Sequence, residues 1–145
     1  MIKQFCLDSN VIIKILIEEE ETELAISLAN NSSCVFISPL FAKIEVLSVI
    51  RNKEKRRQIS KEKTDEIVSV FKAAKIDFIR EDNELIEESF AMARKLKLPV
   101  IYDCIYLTLA KKMNVPFVSA DRKFLKYAKK VYPASFSLKE AVKKI

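Results

Sequence analysis

Four short apolar runs, at residues 2–7 (IKQFCL), 34–37 (CVFI), 76–79 (IDFI) and 116–119 (PFVS), punctuate the chain. Between them lie longer stretches whose apolar residues return every three or four positions. The short runs read as strands and the longer stretches as amphipathic helices. Helices are predicted over about 11–18 and 21–30, the second closed by Asn30 and Asn31, where asparagine can take the left-handed conformation usually left to glycine. Ser38 and Pro39 mark the start of a helix reaching about residue 52, with serine as N-cap and proline at the first helical position. Ser60 caps another to about residue 74, with Ile67, Val70 and Phe71 spaced for one buried face. Further helices are expected over 83–96, with Glu84, Glu87 and Glu88 facing water, over 103–113, closed by Asn114, over 122–129, and from Leu138 onward. A weak fifth strand is expected near Val131 and Tyr132. Strands alternating with helices imply a three-layer α/β/α sandwich around a central parallel sheet of four to five strands. In such sheets ligands bind beyond the carboxyl ends of the strands.

With 145 residues and no repeat, low-complexity tract or linker, the chain reads as a single domain. Half the residues are hydrophobic and 32% are charged, which argues against disorder. The uncharged stretch 30–42 opens with Asn-Asn-Ser-Ser and contains Pro39, so nothing approaches the ~20 apolar residues of a bilayer span. No targeting segment is evident. Cys6, Cys34 and Cys104 lie in apolar contexts with no Cys-x-x-Cys spacing. They read as buried free thiols of a cytoplasmic protein.

The chain contains neither glycine nor histidine. Without glycine there is no P-loop and no Gly-x-Gly-x-x-Gly turn to bring backbone against phosphates. Without histidine there is no Ser-His-Asp or Cys-His nucleophilic site, no histidine acid–base pair and no Cys/His zinc site. Carboxylates or lysines must carry any catalysis. The formal net charge of +6 favours a polyanionic partner. Basic residues concentrate in 51–63 (RNKEKRRQISKEK) and 122–130 (RKFLKYAKK), where solvent exposure is the plain reading and RNA contact the functional one.

Four acids interrupt or close apolar stretches: Asp8 (FCLDSN), Glu45 (AKIEVLSVIR), Asp103 (VIYDCIYLTLA) and Asp121 (FVSADRKF). Asp8, Asp103 and Asp121 each stand where a helix is expected to begin, so helix capping is an alternative reading of each. Glu45 resists that reading, because its neighbours one turn away, Phe41, Ala42 and Val49, are apolar. An acid there must find a cation, accept hydrogen bonds or raise its pKa. Four acids converging on one sheet edge would repel one another severely without a cation. An all-oxygen cluster lacking His and Cys suits Mg²⁺ or Mn²⁺ rather than Zn²⁺. Such a site can hold one or two ions and activate water for in-line attack on a phosphodiester.

The segment YDCIYLTLAKKMNVPFVSADRKF, together with Asp8-Ser9 after the first strand and Glu45 on the helix after the second, resembles the PIN domain family, which includes the VapC toxins of toxin–antitoxin pairs. The resemblance spans essentially the whole chain. It implies a metal-dependent endoribonuclease in which Asp8, Glu45, Asp103 and Asp121 bind Mg²⁺ or Mn²⁺ and are catalytic. By the same likeness Ser9 or Asn10, and Ser119 in the place of the usual Thr/Ser, would support the acids or bound water through hydrogen bonds. It further implies RNA hydrolysis to 5′-phosphate and 3′-hydroxyl ends, a homodimer, and a VapB-like antitoxin partner. The total absence of glycine departs from common toxin patterns and bears on the subgroup.

Two other classes compete. In one, a non-catalytic PIN-like module binds RNA or protein and keeps its acids as caps, or the chain is an RNA-processing nuclease outside any toxin–antitoxin pair. In the other it is a different Mg²⁺ phosphoryl-transfer protein. Haloacid dehalogenase-like phosphatases need Asp-x-Asp after the first strand, against Asp8-Ser9-Asn10 here, and receiver domains need a phosphoacceptor Asp after the third strand, against Arg80-Glu81-Asp82.

Overall fold

The computed structural model describes all residues, 1–145. Its elements follow in the order β1 (Lys3–Leu7), α1 (Ser9–Leu16), α2 (Thr22–Ala29), β2 (Cys34–Pro39), α3 (Phe41–Lys55), α4 (Lys61–Ala73), β3 (Ile76–Ile79), α5 (Asn83–Lys95), α6 (Tyr102–Met113), β4 (Phe117–Val118), α7 (Arg122–Val131), β5 (Ser135–Phe136) and α8 (Leu138–Val142). All five strands are parallel, in the order β3-β2-β1-β4-β5. Strands covered on both faces must be apolar on both sides, which is why Phe5, Cys6 and Leu7 form an unbroken buried run. The Cys6 thiol reaches the Tyr106 carbonyl of α6 at 3.6 Å. Leu7 faces the other layer, where it lines a cavity with Ile12, Ile15 and Leu16 of α1. No helix is long and apolar enough to cross a membrane. All three cysteines are buried and unpaired.

The order of the strands places the crevice. After β1 the chain builds outward through β2 and β3, then returns to the other side of β1 for β4 and β5. The sheet therefore has its switch point between the carboxyl ends of β1 and β4, where helices on opposite faces diverge and leave a gap. Asp8 and Ser119 follow immediately after those two strands, and Asp8 N–H donates to Val118 O (2.9 Å).

Several local expectations are corrected. Ser38 and Pro39 do not open a helix but end β2, paired with Phe78 and Ile79 of β3. The Ser38 hydroxyl donates to Leu7 O (2.8 Å) instead of capping. Helix α3 starts at Phe41, whose N–H is capped by the Glu81 carboxylate (2.6 Å) from beyond β3. Val70 is 54% exposed, because the buried stripe of α4 is Thr64, Ile67 and Phe71. The fifth strand lies at Ser135–Phe136, since α7 carries its helical pattern through Val131. Asn30 closes α2 with helical backbone angles, so no left-handed residue is used there.

The missing glycines leave a cost at other helix ends. Arg57, Lys97 and Asn114 adopt φ of 58°, 56° and 56° at the exits of α3, α5 and α6. Each sits in a hydrogen-bonded reversal of the kind glycine normally occupies, as where Lys97 N–H meets Arg94 O (3.1 Å) and Leu98 N–H meets Ala93 O (2.9 Å). A side chain in this region costs about 1 kcal/mol. Lys97 is exposed and free of ion pairs, so Lys97→Gly is expected to raise Tm by about 3 °C in thermal unfolding. An unchanged or lowered Tm would show that the left-handed geometry is unstrained.

Candidate active site

The acidic edge is built from three helix starts and one helix face. Asp8 stands at the N-terminus of α1 but its side chain makes no capping bond. It is instead held by its neighbours across the switch point. Ser119 Oγ donates to Asp8 Oδ2 (2.8 Å), and Asn10 Nδ2 lies 3.3 Å from both Asp8 Oδ2 and Ser119 Oγ. Asn10 Oδ1 accepts from Ala120 N (2.9 Å), and Ser119 Oγ accepts from Asp121 N (3.1 Å). Asn10 and Ser119 thus clamp the end of β1 to the end of β4 and engage Oδ2 of Asp8, leaving Oδ1 without a side-chain donor.

Asp103 also fails to cap. The N-terminal flank of α6 is Ile101, and Asp103 lies within the first turn with no capping bond, because the helix begins one residue earlier than its sequence suggests. Asp121 does cap, accepting from Phe124 N at 3.0 Å through Oδ1. Glu45 lies one turn into α3, nearer its start than a helix opening at Ser38 would give. Phe41 and Tyr102 stack at 5.6 Å and brace the start of α3 against the start of α6, which sets the spacing of Glu45 and Asp103.

Burial grades across the four acids. Asp8 is 1% exposed, Glu45 and Asp103 are half-buried, and Asp121 is exposed. None has a Lys or Arg within ion-pairing distance. Burial, aided by the charges of Asp103 and Glu45, raises the pKa of Asp8 to about 7 against the pull of the Ser119 hydrogen bond. Burial, then the charges of Asp121 and Glu45, raises Asp103 to about 6. Cys104, next to Asp103, rises to about 11 through burial first and that carboxylate second, which leaves it an inert thiol.

Asp103 and Glu45 therefore act on Asp8, and Asp121 and Glu45 act on Asp103. As the side chains stand, no three acids or cysteines converge on one point as a finished ion cage. The donor chemistry nonetheless fits a hard divalent cation: every donor is an oxygen, the acids lack basic partners, and Asp8 and Asp103 are raised first by burial and then by their acidic neighbours. The edge is open. A cavity of about 740 Å³, lined by Leu7, Ile12, Phe36 and Val70 among others, lies under an apolar face and not at the acids.

Two residues of this region escaped the sequence reading. Glu81 caps α3 and so aims the helix that carries Glu45. Tyr106, fully buried on α6, donates its hydroxyl hydrogen bond to Glu45 Oε1. The available signal was a tyrosine three residues after Asp103, in a run otherwise apolar enough for phenylalanine.

Fold and site together define an α/β/α protein with a parallel sheet and an acidic crevice at its switch point. The chain belongs to the PIN domain family, whose model matches residues 5–130. No curated protein matches the sequence significantly. Among solved structures, PAE2754 from Pyrobaculum aerophilum is similar with a TM-score of 0.63 and 16% identity, covering 99% of this chain and 97% of its own. A toxin–antitoxin complex from Klebsiella pneumoniae is similar at 0.60 and 19%, over 92% and 96%. VapC20 of Mycobacterium tuberculosis, a sarcin-ricin loop cleaving toxin, is similar at 0.60 and 9%, over 77% and 84%. At these identities the likeness shows the fold alone.

Proposed function

We propose that the chain is a single-domain, Mg²⁺- or Mn²⁺-dependent endoribonuclease acting in the cytoplasm. The observation that carries this reading is the set of carboxylates Asp8, Glu45 and Asp103, half-buried or buried, mutually repelling and without any cationic partner. Asp8, Glu45, Asp103 and Asp121 would hold the ion, which when bound supplies Lewis-acid charge at a phosphodiester and acidifies water. The chain's own part is positioning. Ser119 and Asn10 fix Asp8, and the Asp121 cap fixes the start of α7 beside the crevice.

An open acidic edge suits a polymer better than an enclosed small molecule. Helix α7 leads away from Asp121 with Arg122, Lys123 and Lys126 exposed and outside every ion pair, which supports a phosphate backbone running along it. The test is cleavage of a labelled RNA. Activity is expected with Mg²⁺ or Mn²⁺, to vanish on chelation, and to return when the metal is restored. Cleavage that persists in chelator, or a protein that binds RNA and never cuts it, would reject the reading.

The similar Klebsiella assembly supports a toxin paired with an antitoxin. Exposed Ile44 and Leu47 on α3 and Ile86 and Phe90 on α5 offer apolar surface for that partner or for a second copy in a homodimer.

A further inference from the structure

Tyr106 heads the large side chains that are wholly shut off from solvent. Burying a phenol is unfavourable unless its hydroxyl finds a partner, and here the partner is not a nearby carbonyl but a carboxylate from another helix, Glu45 Oε1. Tyr106 follows Asp103 by three residues on α6, so the two share a helix face. Ser9, which adjoins Asp8, is a second polar side chain near that hydroxyl. One phenol thus links the start of α1, the face of α3 and the first turns of α6, the elements that carry three of the four acids.

Glutamate needs such an anchor more than the aspartates do. Its longer side chain has more rotamer freedom to lose on being ordered. Glu45 is half-buried on a helix whose neighbouring Ile44 and Leu47 face solvent, so an unanchored side chain could swing outward. Phenylalanine would fill the same space as Tyr106, and the hydroxyl is the only part of the residue that the core does not require.

We propose that Tyr106 is a positioning residue for Glu45: its hydroxyl engages Oε1 and orients the carboxylate so that Oε2 is the oxygen offered to a divalent cation. This rests on the metal-dependent reading above and adds a residue to it.

The test compares the Mn²⁺ affinity of the wild-type protein, Tyr106→Phe, Glu45→Gln and the double variant, by calorimetry or by the spin resonance of free Mn²⁺, with thermal unfolding as a control of the fold. Tyr106→Phe is expected to weaken Mn²⁺ binding by about 10- to 100-fold. The double variant is expected to bind no more weakly than Glu45→Gln alone, because a residue acting through Glu45 has nothing left to orient. An affinity within about twofold of wild type for Tyr106→Phe, or losses that multiply in the double variant, would overturn the proposal and assign Tyr106 to packing alone. Wild-type protein that binds no Mn²⁺ would overturn the metal-dependent reading itself, and this inference with it.

Discussion

Asp103→Asn is expected to lower RNA cleavage by a factor on the order of 10²–10³ or more while leaving the protein at least as stable as wild type. Asp103 is central to the cluster: burial first, then the charges of Asp121 and Glu45, raise its pKa, and its own charge helps to raise that of Asp8. Asparagine keeps the size and removes the charge. Any reaction that needs a cation at this edge loses a ligand, yet the chain loses a source of repulsion, so activity and stability should move in opposite directions. A labelled RNA incubated with Mn²⁺, beside a melting curve in chelator, measures both. Undiminished cleavage by the variant, once contaminating nuclease is excluded, would sink the assignment, and parallel loss of activity and Tm would point to simple misfolding.

The second large effect concerns pH. Asp8 has its pKa raised from the ordinary aspartate value of 3.8 to about 7 in the folded chain, and Asp103 is raised to about 6. A carboxyl raised on folding holds its proton in the native state after the unfolded chain has released it. Its stabilising contribution is therefore complete below the unfolded value and is lost as pH rises through the folded one. In chelator the protein should become less stable between about pH 5 and pH 8, by roughly 2 to 4 kcal/mol, at about 1.4 kcal/mol for each pKa unit. Mn²⁺ added near pH 8 should recover much of that loss by binding the native state. Asp8→Asn should flatten the profile. Denaturant unfolding at several pH values, with chelator and with Mn²⁺, reads all three arms, and a flat wild-type profile in chelator would show that the crowded carboxylates are already relieved by another means.

Glu140 illustrates the opposite sign. Its hydrogen bond from Lys129, with a smaller contribution from Ser137, lowers its pKa to about 2, so its contribution is lost only in acid and does not interfere in the window above. The pair is partly exposed, and its worth is correspondingly small.

The alternation of short apolar runs with amphipathic stretches was enough to foresee a parallel sheet between two helical layers, because a strand buried on both faces must be apolar throughout and its crossover must be helical. The same pattern picked out acids where apolar runs end. It failed at junctions where a polar residue has two local uses. Ser38 has the chemistry of an N-cap, yet its hydroxyl satisfies the Leu7 carbonyl of a strand 31 residues away. The place a cap would fill at α3 is taken by Glu81, which is 40 residues from Phe41. Neither exchange has a local signature. The phase of α4 missed by one position for a related reason: Val70 and Thr64 could each belong to the buried stripe, and only the neighbouring elements choose between them.

The capping alternatives were settled in three different ways. Asp121 caps α7, whereas Asp8 and Asp103 flank or enter helices without bonding to them. Sequence spacing is the same for a carboxylate that turns toward its helix and one that turns away. Tyr106 shows the limit most plainly, since its partner Glu45 is 61 residues earlier and on a helix whose starting point was itself misplaced.

By itself, then, the sequence determined which chemistry was available and where along each element it would stand: no glycine for phosphate loops, no histidine for nucleophilic sites, and acids at the ends of apolar runs. Tertiary structure decided which of those groups meet. The strand order β3-β2-β1-β4-β5 sets β1 beside β4, and with that adjacency Ser119 and Asn10 reach Asp8. The physical reason is one of range. Propensity and periodicity act within a few residues of the chain, whereas the field that raises Asp8 comes from burial and from charges on α6 and α3, brought close only when the sheet is assembled.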